Sequence, residues 1–424
     1  MLDIAIVEGV RTPFVKAFGP LASVPAQDLG RAAAQGVLRR AGLRPDQVDQ
    51  VIFGNVALPP DAANIARVIA LQAGIPQDRI AHTVQRNCAS GMEAITTAAQ
   101  LLQLGEARTI LAGGTESMSR IPLLYNREAT DLFLRLGKAK TLWQRLGTLL
   151  RFRPRHFRPV AGVQLGLTDP VCGLIMGETA EILADDFGIG RREQDEFALE
   201  SHRRAAAAQE RCVLSEEIVP VAVADKEIKA DIGPRKEQSL EALAKLKPFF
   251  RKGGTVTVGN SCPLTDGAAA VVVMPGEAAR AEGRQPLGYL RAYAYAGCDP
   301  RRMGLGPVYA TSKLLEKTGL TLADIDLIEM NEAFAAQVLA NERAFASDRF
   351  AQEQLGRKQA LGAIDPGRLN VNGGAIALGH PVGATGTRLV ITLLRELRRR
   401  GLRRGLATLC VGGGQGAALL LERA

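Results

Sequence analysis

Several features that would assign a protein to a specialised class are missing from this chain of 424 residues. It contains no apolar run long enough to span a bilayer, and no basic and apolar leader opens it. Its six cysteines show none of the paired spacings typical of disulfide frameworks or metal sites. Aromatic residues make up only 4% of the composition, and no nucleic-acid-reading motif is present. We therefore expect a soluble, cytoplasmic protein with free thiols, no bound metal and no nucleic-acid partner.

Short apolar segments alternate with amphipathic ones along the chain. Strand-like patterns lie at residues 2–7, 51–55 and 109–114, and helix-like patterns lie at 26–41 and 63–73. Strands that alternate with helices favour an α/β fold. We therefore predict an α/β fold built on mostly parallel sheets.

Two segments of the second half of the chain repeat the pattern of earlier ones. Residues 320–331 resemble residues 43–55, where Leu and acidic residues precede an apolar strand, and residues 406–413 resemble 108–114. The repetition predicts two similar α/β halves.

Residues 370–388 concentrate small residues around a single histidine, His380. Glycine lets backbone amides come close to one another and to a ligand, and the apolar residues that follow indicate a buried helix. His380 is therefore predicted on a fixed loop where a helix begins. An imidazole held there can take or give a proton at neutral pH. The alternative is a Gly-His-Pro turn with a hydrogen-bonded imidazole.

A candidate nucleophile, Cys88, lies directly before a run of small residues that continues through Ala99. The positive end of the helix dipole and the free amides of a first turn both favour thiolate. We therefore predict that Cys88 is placed to act as a nucleophile, with a small buried apolar side chain as the structural alternative.

Two further polar elements follow strand-like segments. Cys410 stands before the glycine run 412–414, whose amides are suited to binding an oxyanion or to close backbone packing. Asn331 ends the apolar segment 327–330 and supplies an amide side chain there. We interpret the following Glu332 as an orienting or salt-bridged residue.

Together these motifs resemble the four active-site motifs of the thiolase family. The matching blocks are Asn87-Cys88-Ala-Ser-Gly, Asn331-Glu-Ala-Phe, Gly379-His380-Pro and Cys410-Val-Gly-Gly-Gly. Further similarity at residues 11–14, 176–181 and 265–270 extends the resemblance over essentially the whole chain. Residues 132–160 and 344–372 look most like the thiolase subunit of the trifunctional fatty-acid oxidation complex.

The resemblance implies a duplicated, layered α-β-α-β-α fold with an inserted loop domain. The expected divisions are an N-terminal half at 1–120 plus 252–282, an insertion at 121–251 and a C-terminal half at 283–424. It also implies an acyltransferase of fatty-acid β-oxidation, which uses coenzyme A to cleave a 3-oxoacyl-CoA into acetyl-CoA and a shortened acyl-CoA.

The resemblance further implies a role for each site residue. Cys88 is the nucleophile that carries the acyl group, His380 is its base, and Cys410 protonates the acetyl-CoA enolate. His380 and Asn331, the latter through a water, would stabilise that enolate. The amides of Cys88 and Gly412 would form a second oxyanion hole.

Coenzyme A is implied as a substrate, without a permanently bound cofactor. Its phosphates favour Lys and Arg, and its pantetheine arm needs an apolar tunnel. We expect Met176 and Ser261 to contribute to that tunnel.

Residues 132–158 form a basic stretch without acidic residues. Its cations are Arg135, Lys138, Lys140, Arg145, Arg151, Arg153, Arg155 and Arg158. They nearly equal the net charge of the whole chain, +9. With its interleaved leucines the stretch predicts an amphipathic helix that packs on its own core, contacts a partner subunit or phosphate-bearing ligand, or lies on an anionic membrane. We favour the core or a partner over the membrane.

The direction of the reaction stays open. Asn331 stands where the degradative complex subunit more often has His, and Ile175 stands where biosynthetic members typically have His. We favour a broad 3-oxoacyl-CoA thiolase, with acetoacetyl-CoA synthesis as the alternative. A decarboxylating ketosynthase would use a second His at Asn331 and would not need Cys410. A non-catalytic lipid carrier or scaffold would lack one of the reactive residues.

The resemblance also implies an assembly larger than one chain. Thiolase active sites are completed across a two-fold interface, so we expect a homodimer or tetramer. A hydratase/dehydrogenase subunit is a further possible partner, docked by residues 132–158.

Overall fold

The computed structural model describes residues 3–424, so Leu2 of the predicted strand at 2–7 lies outside the described residues. The strands are β1 (Ile4–Arg11), β2 (Val15–Lys16), β3 (Gln50–Gly54), β4 (Ile80–Val84), β5 (Ile110–Ser117), β6 (Leu123–Leu124), β7 (Val160–Ala161), β8 (Val221–Val223), β9 (Lys226–Ile228), β10 (Thr265–Pro275), β11 (Gly288–Gly297), β12 (Leu327–Met330), β13 (Arg404–Val411) and β14 (Gln415–Arg423). The helices are α1 (Ala26–Ala41), α2 (Ile65–Gln72), α3 (Ser90–Gln103), α4 (Arg127–Lys138), α5 (Leu142–Leu149), α6 (Gly162–Gly166), α7 (Met176–Asp186), α8 (Arg191–Glu210), α9 (Leu240–Ala244), α10 (Gly276–Ala281), α11 (Gly306–Thr318), α12 (Ala335–Phe345), α13 (Asp348–Leu355), α14 (Ala375–Leu378) and α15 (Val382–Arg400).

The main sheet has ten strands, in the order β4-β3-β5-β10-β1-β11-β14-β13-β12 with β2 added to β10. The two halves of the sheet have the same sequence of strand pairings. From β1, the strands β10, β5 and β3 follow with antiparallel, antiparallel and parallel pairing. From β11, the strands β14, β13 and β12 follow with the same three pairings. The predicted duplication is confirmed, and the halves join where β1 pairs with β11.

The prediction of mostly parallel sheets is wrong. Among the strands of the described residues, parallel pairing is confined to β3–β4, β3–β5 and β12–β13. The turn between β13 and β14 has only three residues, 412–414, and so short a connection allows only antiparallel pairing. Strand β10 enters between β1 and β5 after the whole inserted region, which no local sequence pattern reveals.

Three large apolar clusters lie where helices pack against the strands. The central cluster packs α3 and α15 between strands of the two halves. Helices α1 and α2 cover the outer face of the N-terminal half, and α11 and α12 cover that of the C-terminal half. The predicted layered α-β-α-β-α fold is confirmed. The layering leaves α3 and α15 as the two central helices.

The inserted region is anchored to both halves. The buried guanidinium of Arg11 on β1 pairs with Glu217 and Asp231, each at 2.6 Å. Leu183 of α7 packs in the apolar cluster of the C-terminal half. The insertion therefore shares its core with the halves that it connects.

The basic stretch 132–158 forms the end of α4, the whole of α5 and a short 3-10 helix at Pro154–Phe157 instead of one helix. Leu132 of α4 is buried, whereas α5 buries none of its residues. Leu142 and Trp143 are 78% and 80% exposed. Packing on the protein's own core is therefore wrong for α5. Within residues 3–424, no helix combines the length and apolarity that crossing a membrane requires.

Candidate active site

The two central helices meet at their N-terminal ends. The Thr387 hydroxyl on α15 donates to the Gly91 carbonyl on α3 at 3.1 Å. A Cβ at Gly91 would lie 2.7 Å from the Thr387 nitrogen, so only glycine allows this approach. Cys88 lies two residues before α3, and His380 lies two residues before α15. The helix pair therefore brings the predicted nucleophile and base to the same end of the central layer.

Cys88 is partly exposed, and its sulfur faces two backbone amides. Burial raises the pKa of the thiol, whereas the N–H groups of Gly412 and of Cys88 itself lower it. The expected preference for thiolate is therefore outweighed by desolvation. Cys88 needs a base to become a nucleophile, and the two amides stand where an oxyanion hole was predicted.

The loop before α3 is tied to the glycine turn that follows Cys410. The Asn87 side chain donates to the Gly412 carbonyl at 2.8 Å, and Asn87 itself has a left-handed φ of 42°. Arg86 adds a 2.6 Å ion pair to Glu93 and a hydrogen bond to Gln415. These contacts fix the Cys88 sulfur against the Gly412 amide.

His380 is buried and held by two threonines. The Thr265 hydroxyl accepts from its backbone N–H at 3.1 Å. The Thr385 hydroxyl donates to the Pro381 carbonyl at 3.1 Å and lies 2.6 Å from Nδ1 of His380. Since the hydroxyl has one proton, Nδ1 must carry the ring proton and donate it to Thr385. Nε2 is then the basic nitrogen.

That nitrogen is placed to accept a proton. Nε2 of His380 is buried and has no hydrogen-bond partner in the described chain. Burial, with a smaller effect of the Arg388 charge, lowers the pKa of His380 to about 3. The imidazole is therefore neutral at physiological pH and keeps a free lone pair. Thr385 was not identified from the sequence, although a threonine in the first helical turn after a loop histidine indicates a side chain that can orient the imidazole.

Cys410 and Asn331 lie at the same edge of the sheet because β12 and β13 run parallel. The backbone N–H of Asn331 donates to the Thr408 carbonyl at 3.0 Å, two residues before Cys410. Cys410 is buried, and its pKa is raised well above the ordinary value by burial and by Cys88, Cys262 and Cys298. Cys410 is therefore a neutral thiol that can supply a proton.

Asn331 is fully buried, and neither its oxygen nor its nitrogen has a hydrogen-bond partner among residues 3–424. Buried polar groups are normally satisfied by protein or water. An orphaned amide of this kind fits a water or a substrate oxygen, as the sequence resemblance predicts.

Glu332 supports the loop instead of forming a salt bridge. Its carboxylate accepts from the Ser201 hydroxyl at 2.6 Å and from the Asn370 side chain at 2.9 Å. Asn370 in turn bonds both backbone groups of Met330 at 2.8 Å. This network joins the end of β12 to the start of the loop that carries His380. The orienting interpretation of Glu332 agrees with these contacts.

The two predicted ligand contacts differ in environment. Met176 begins α7, and its sulfur would lie 3.4 Å from a Cβ at Gly412, so it borders the Cys88 amide pocket. Ser261 is 6% exposed and donates its hydroxyl to the Thr257 carbonyl at 2.7 Å. The Ser261 side chain is therefore engaged inside the protein.

The neighbouring Cys262 was missed by sequence reasoning. Its backbone N–H donates to the Ala333 carbonyl at 3.0 Å, and the residue as a whole is half-buried. Burial raises the pKa of this thiol to about 12, and Cys88 acts in the same direction. Cys262 therefore stays protonated beside the two predicted reactive cysteines. No local signal separates it from a structural cysteine.

The arrangement suits acyl transfer through a covalent intermediate. It combines a thiol, a base with an open nitrogen, a second neutral thiol and two separate sets of oxyanion donors. Within the described part of the chain, no group of three or more His, Cys, Asp or Glu side chains is arranged to hold a metal ion.

Comparison with protein families gives a match over nearly the whole chain. Residues 4–277 match the family model described as "Thiolase, N-terminal domain". Residues 284–423 match the one described as "Thiolase, C-terminal domain".

Similar proteins include 3-ketoacyl-CoA thiolases of Yersinia enterocolitica and Photorhabdus laumondii. Each is 45% identical over 423 residues, which cover 99% of this chain and 96% of the relative. The crystal structure of the Bacillus anthracis acetyl-CoA acetyltransferase matches with a TM-score of 0.87 and 40% identity, covering 100% of this chain and 99% of that one. Human mitochondrial 3-ketoacyl-CoA thiolase in complex with CoA matches with a TM-score of 0.86 and 37% identity, covering 99% of this chain and 98% of that one.

Proposed function

This chain belongs to the thiolase family and acts as a 3-ketoacyl-CoA thiolase, and we propose that it does so through an acyl intermediate on Cys88. The observation that carries the proposal is that two features lie together where the N-terminal ends of α3 and α15 meet. The Cys88 sulfur faces the amides of Cys88 and Gly412, and the open Nε2 of His380 comes from the other helix. A nucleophile, its base and an oxyanion hole are the parts that acyl transfer needs.

In the first half of the reaction, Nε2 of His380 takes the Cys88 proton as the sulfur attacks the keto carbonyl. Because the pKa of the Cys88 thiol is raised, the sulfur is protonated before the reaction and loses its proton to His380 as it attacks. Carbon–carbon cleavage leaves the acyl group on Cys88 and releases the acetyl-CoA enolate. Cys410, held as a neutral thiol by burial, gives its proton to the enolate carbon.

Two oxyanion sites each stabilise the negative charge of a different reaction intermediate. The orphaned Asn331 amide, acting through a water, and His380 would stabilise the enolate oxygen of acetyl-CoA. The amides of Cys88 and Gly412 would stabilise the tetrahedral intermediates on Cys88. This assignment gives the unpartnered Asn331 amide and His380 Nε2 a role without requiring a bound cofactor.

In the second half, the thiol of a new coenzyme A attacks the acyl carbon as its proton passes to the Cys410 thiolate. The bond between the acyl carbon and the Cys88 sulfur breaks, and the proton held by His380 returns to that sulfur, so both cysteines and the imidazole are restored. Coenzyme A is thus a substrate, and Met176, whose sulfur would lie 3.4 Å from a Cβ at Gly412, is the residue that we expect its pantetheine arm to pass. Ser261 is a weaker candidate for this channel than its neighbour Cys262, since the Ser261 hydroxyl is already donated to Thr257.

The direct test is thiolysis of 3-oxoacyl-CoA substrates from short to long chains, followed by chromatography of the products. We expect cleavage across several chain lengths and loss of activity in Cys88→Ala. Absence of cleavage with every substrate would contradict the proposed function.

A second candidate is acetoacetyl-CoA synthesis from two acetyl-CoA molecules. It is favoured by the 40% identity to the Bacillus anthracis acetyl-CoA acetyltransferase structure. The same chain-length series separates the two: activity confined to acetoacetyl-CoA supports the biosynthetic direction, and activity on longer chains supports degradation in β-oxidation.

We also propose a homodimer, or a tetramer built from it. Strand β4 forms one edge of the main sheet, and Ile80 on it is 61% exposed. An exposed apolar edge strand is a surface suited to pairing with another copy. Strand β4 ends four residues before Cys88, so such pairing would brace the nucleophile loop. Light scattering should give a multimer, and a fully active monomer would contradict this proposal.

The exposed apolar face of α5, with its neighbouring cations, fits a partner better than solvent. We propose that it contacts a second subunit, such as a hydratase/dehydrogenase, with an anionic membrane surface as the weaker alternative. The free cysteines are consistent with a cytoplasmic location. If deletion of residues 142–150 leaves co-purification with such a subunit unchanged, the docking proposal is wrong.

A further inference from the structure

Arg388 is a completely buried cation on α15, one turn after Thr385. Its Nη1 donates to Oε2 of Glu329 at 2.9 Å, and both side chains are excluded from solvent. Glu329 lies on β12, two residues before Asn331. The pair therefore joins the helix that orients His380 to the strand that ends at Asn331.

Stability does not explain this pair. The Nε and Nη2 atoms of Arg388 have no hydrogen-bond partner in residues 3–424. A buried ion pair is often no more stable than apolar side chains of the same volume, and unpaired buried donors add a further cost. Burial raises the pKa of Glu329 and the charge of Arg388 opposes that rise, so the site disfavours either charge without its partner.

We propose that Arg388 is a positioning residue of the thiolase reaction, whose bond to Glu329 fixes His380 relative to Asn331. The proposal rests on the proposed function, because it assigns His380 and Asn331 the roles given there. Arg388 has no exposed surface, and in this proposal it acts through the helix and the strand that it joins.

The geometry explains why both elements need fixing. Thr385 on α15 fixes the orientation of the His380 imidazole. The position of Asn331 is instead set by β12 and by the hydrogen bond between Asn370 and the neighbouring Met330. If the two elements shifted independently, His380 and Asn331 could no longer contact one oxyanion. Displacement of a catalytic group by about 1 Å can cost about a hundredfold in rate.

Three carboxylates lie on the elements that surround the His380 loop. Glu116 at the end of β5 accepts from the Gly383 amide, Asp266 follows Thr265 on β10, and Glu332 follows β12. Cys88 approaches from the α3 loop. Against these groups, Arg388 supplies the positive charge that acts with burial to lower the pKa of His380.

Four variants test the proposal. Arg388→Lys keeps the charge, Arg388→Gln removes it, and the double variant Arg388→Gln/Glu329→Gln removes both charges so that no unpaired buried ion remains. Arg398→Gln is the matched control, because Arg398 is an exposed residue of the same helix. The measurements are the thermal midpoint, kcat and KM for a 3-oxoacyl-CoA, and the pH dependence of kcat/KM.

In the double variant we expect a folded protein, KM within about twofold of wild type and kcat lower by about tenfold to a hundredfold. The loss of a cation facing His380 raises the imidazole pKa, so the acid limb of kcat/KM should move to higher pH. Arg388→Lys should keep the acid limb of wild type, and Arg398→Gln should leave all values unchanged. The double variant keeps the test valid if Arg388→Gln does not fold.

A double variant with wild-type kcat and pH profile would overturn the proposal. So would a fall in activity that only follows the unfolded fraction, without a shift of the acid limb. An inactive wild-type enzyme would instead contradict the proposed function. The two failures are therefore distinguishable.

Discussion

Replacing Thr385 with Val removes one hydroxyl and leaves the volume of the side chain nearly unchanged. The hydroxyl accepts the Nδ1 proton of His380 at 2.6 Å and is itself held by the Pro381 carbonyl at 3.1 Å. Without it, a buried N–H loses its acceptor, and the imidazole is free to carry its proton on Nε2. That tautomer cannot take the Cys88 proton.

The expected size follows from the hydrogen bond. Leaving a buried donor without its partner costs about 1–3 kcal/mol, which corresponds to a factor of about 5 to 150 in rate. The loss should appear in kcat for thiolysis and in the alkylation rate of Cys88 by iodoacetamide, with KM little changed. Both assays report the ability of His380 to accept a proton.

Thr318→Val is the matched control, because the Thr318 hydroxyl also donates to a carbonyl one helical turn earlier, at Leu314, but on α11. Its activity should equal that of wild type. The reasoning is refuted if Thr385→Val keeps at least half of the wild-type kcat, or if the two valine variants lose activity equally.

Three other predictions concern the two reactive thiols and a buried histidine. Cys88→Ser should fold but lose thiolysis by at least about a thousandfold, since a hydroxyl is far less acidic than a thiol, and retention of activity above that level would contradict the nucleophile assignment. Cys410→Ala should block exchange of the acetyl-CoA methyl protons with deuterated water, measured by NMR, while acylation of Cys88 continues; unchanged exchange would remove Cys410 as the proton donor. Burial, with a smaller effect of Arg235, lowers the pKa of His202 to about 4. The unfolded chain therefore binds the extra proton first, and stability should fall as pH drops from about 6.5 to 4, by up to roughly 3 kcal/mol. His202→Asn keeps an acceptor for the Arg235 amide and should flatten this acid dependence of the thermal midpoint; an equally steep fall in the variant would contradict the assignment.

Local patterns predicted the elements more reliably than their pairing. The helix predicted at 26–41 coincides with α1, the predicted repeat at 320–331 contains β12, and the one at 406–413 covers all of β13 except its first two residues. The direction of the strands was not predictable in the same way. Whether two strands run parallel depends on the path of the chain between them, and β10 reaches its place after the inserted region.

The candidate site shows the same limit. Cys88 and His380 stand out in sequence because each directly precedes a helix with small residues at its start. Thr385 and Arg388 do not, because their importance depends on what the fold places beside them: Nδ1 in one case and Glu329 in the other. The thiolate expected at Cys88 failed because a helix terminus is visible in sequence whereas desolvation is not.

The exposed face of α5 is a related case. A basic amphipathic pattern predicts a helix, but it does not say which surface covers the apolar side. Leu142 and Trp143 are largely exposed, so the pattern does not correspond to a core contact at α5, and the partner surface there is the proposal made above.

The central claim is that the acyl group is carried by Cys88. The most direct measurement is mass spectrometry of the enzyme after brief incubation with a 3-oxoacyl-CoA in the absence of free coenzyme A, followed by peptide mapping. The account predicts one acyl group, on the peptide that contains Cys88, removed when coenzyme A is added. An acyl group on Cys410 or Cys262, or turnover with no acylated peptide at all, would contradict it.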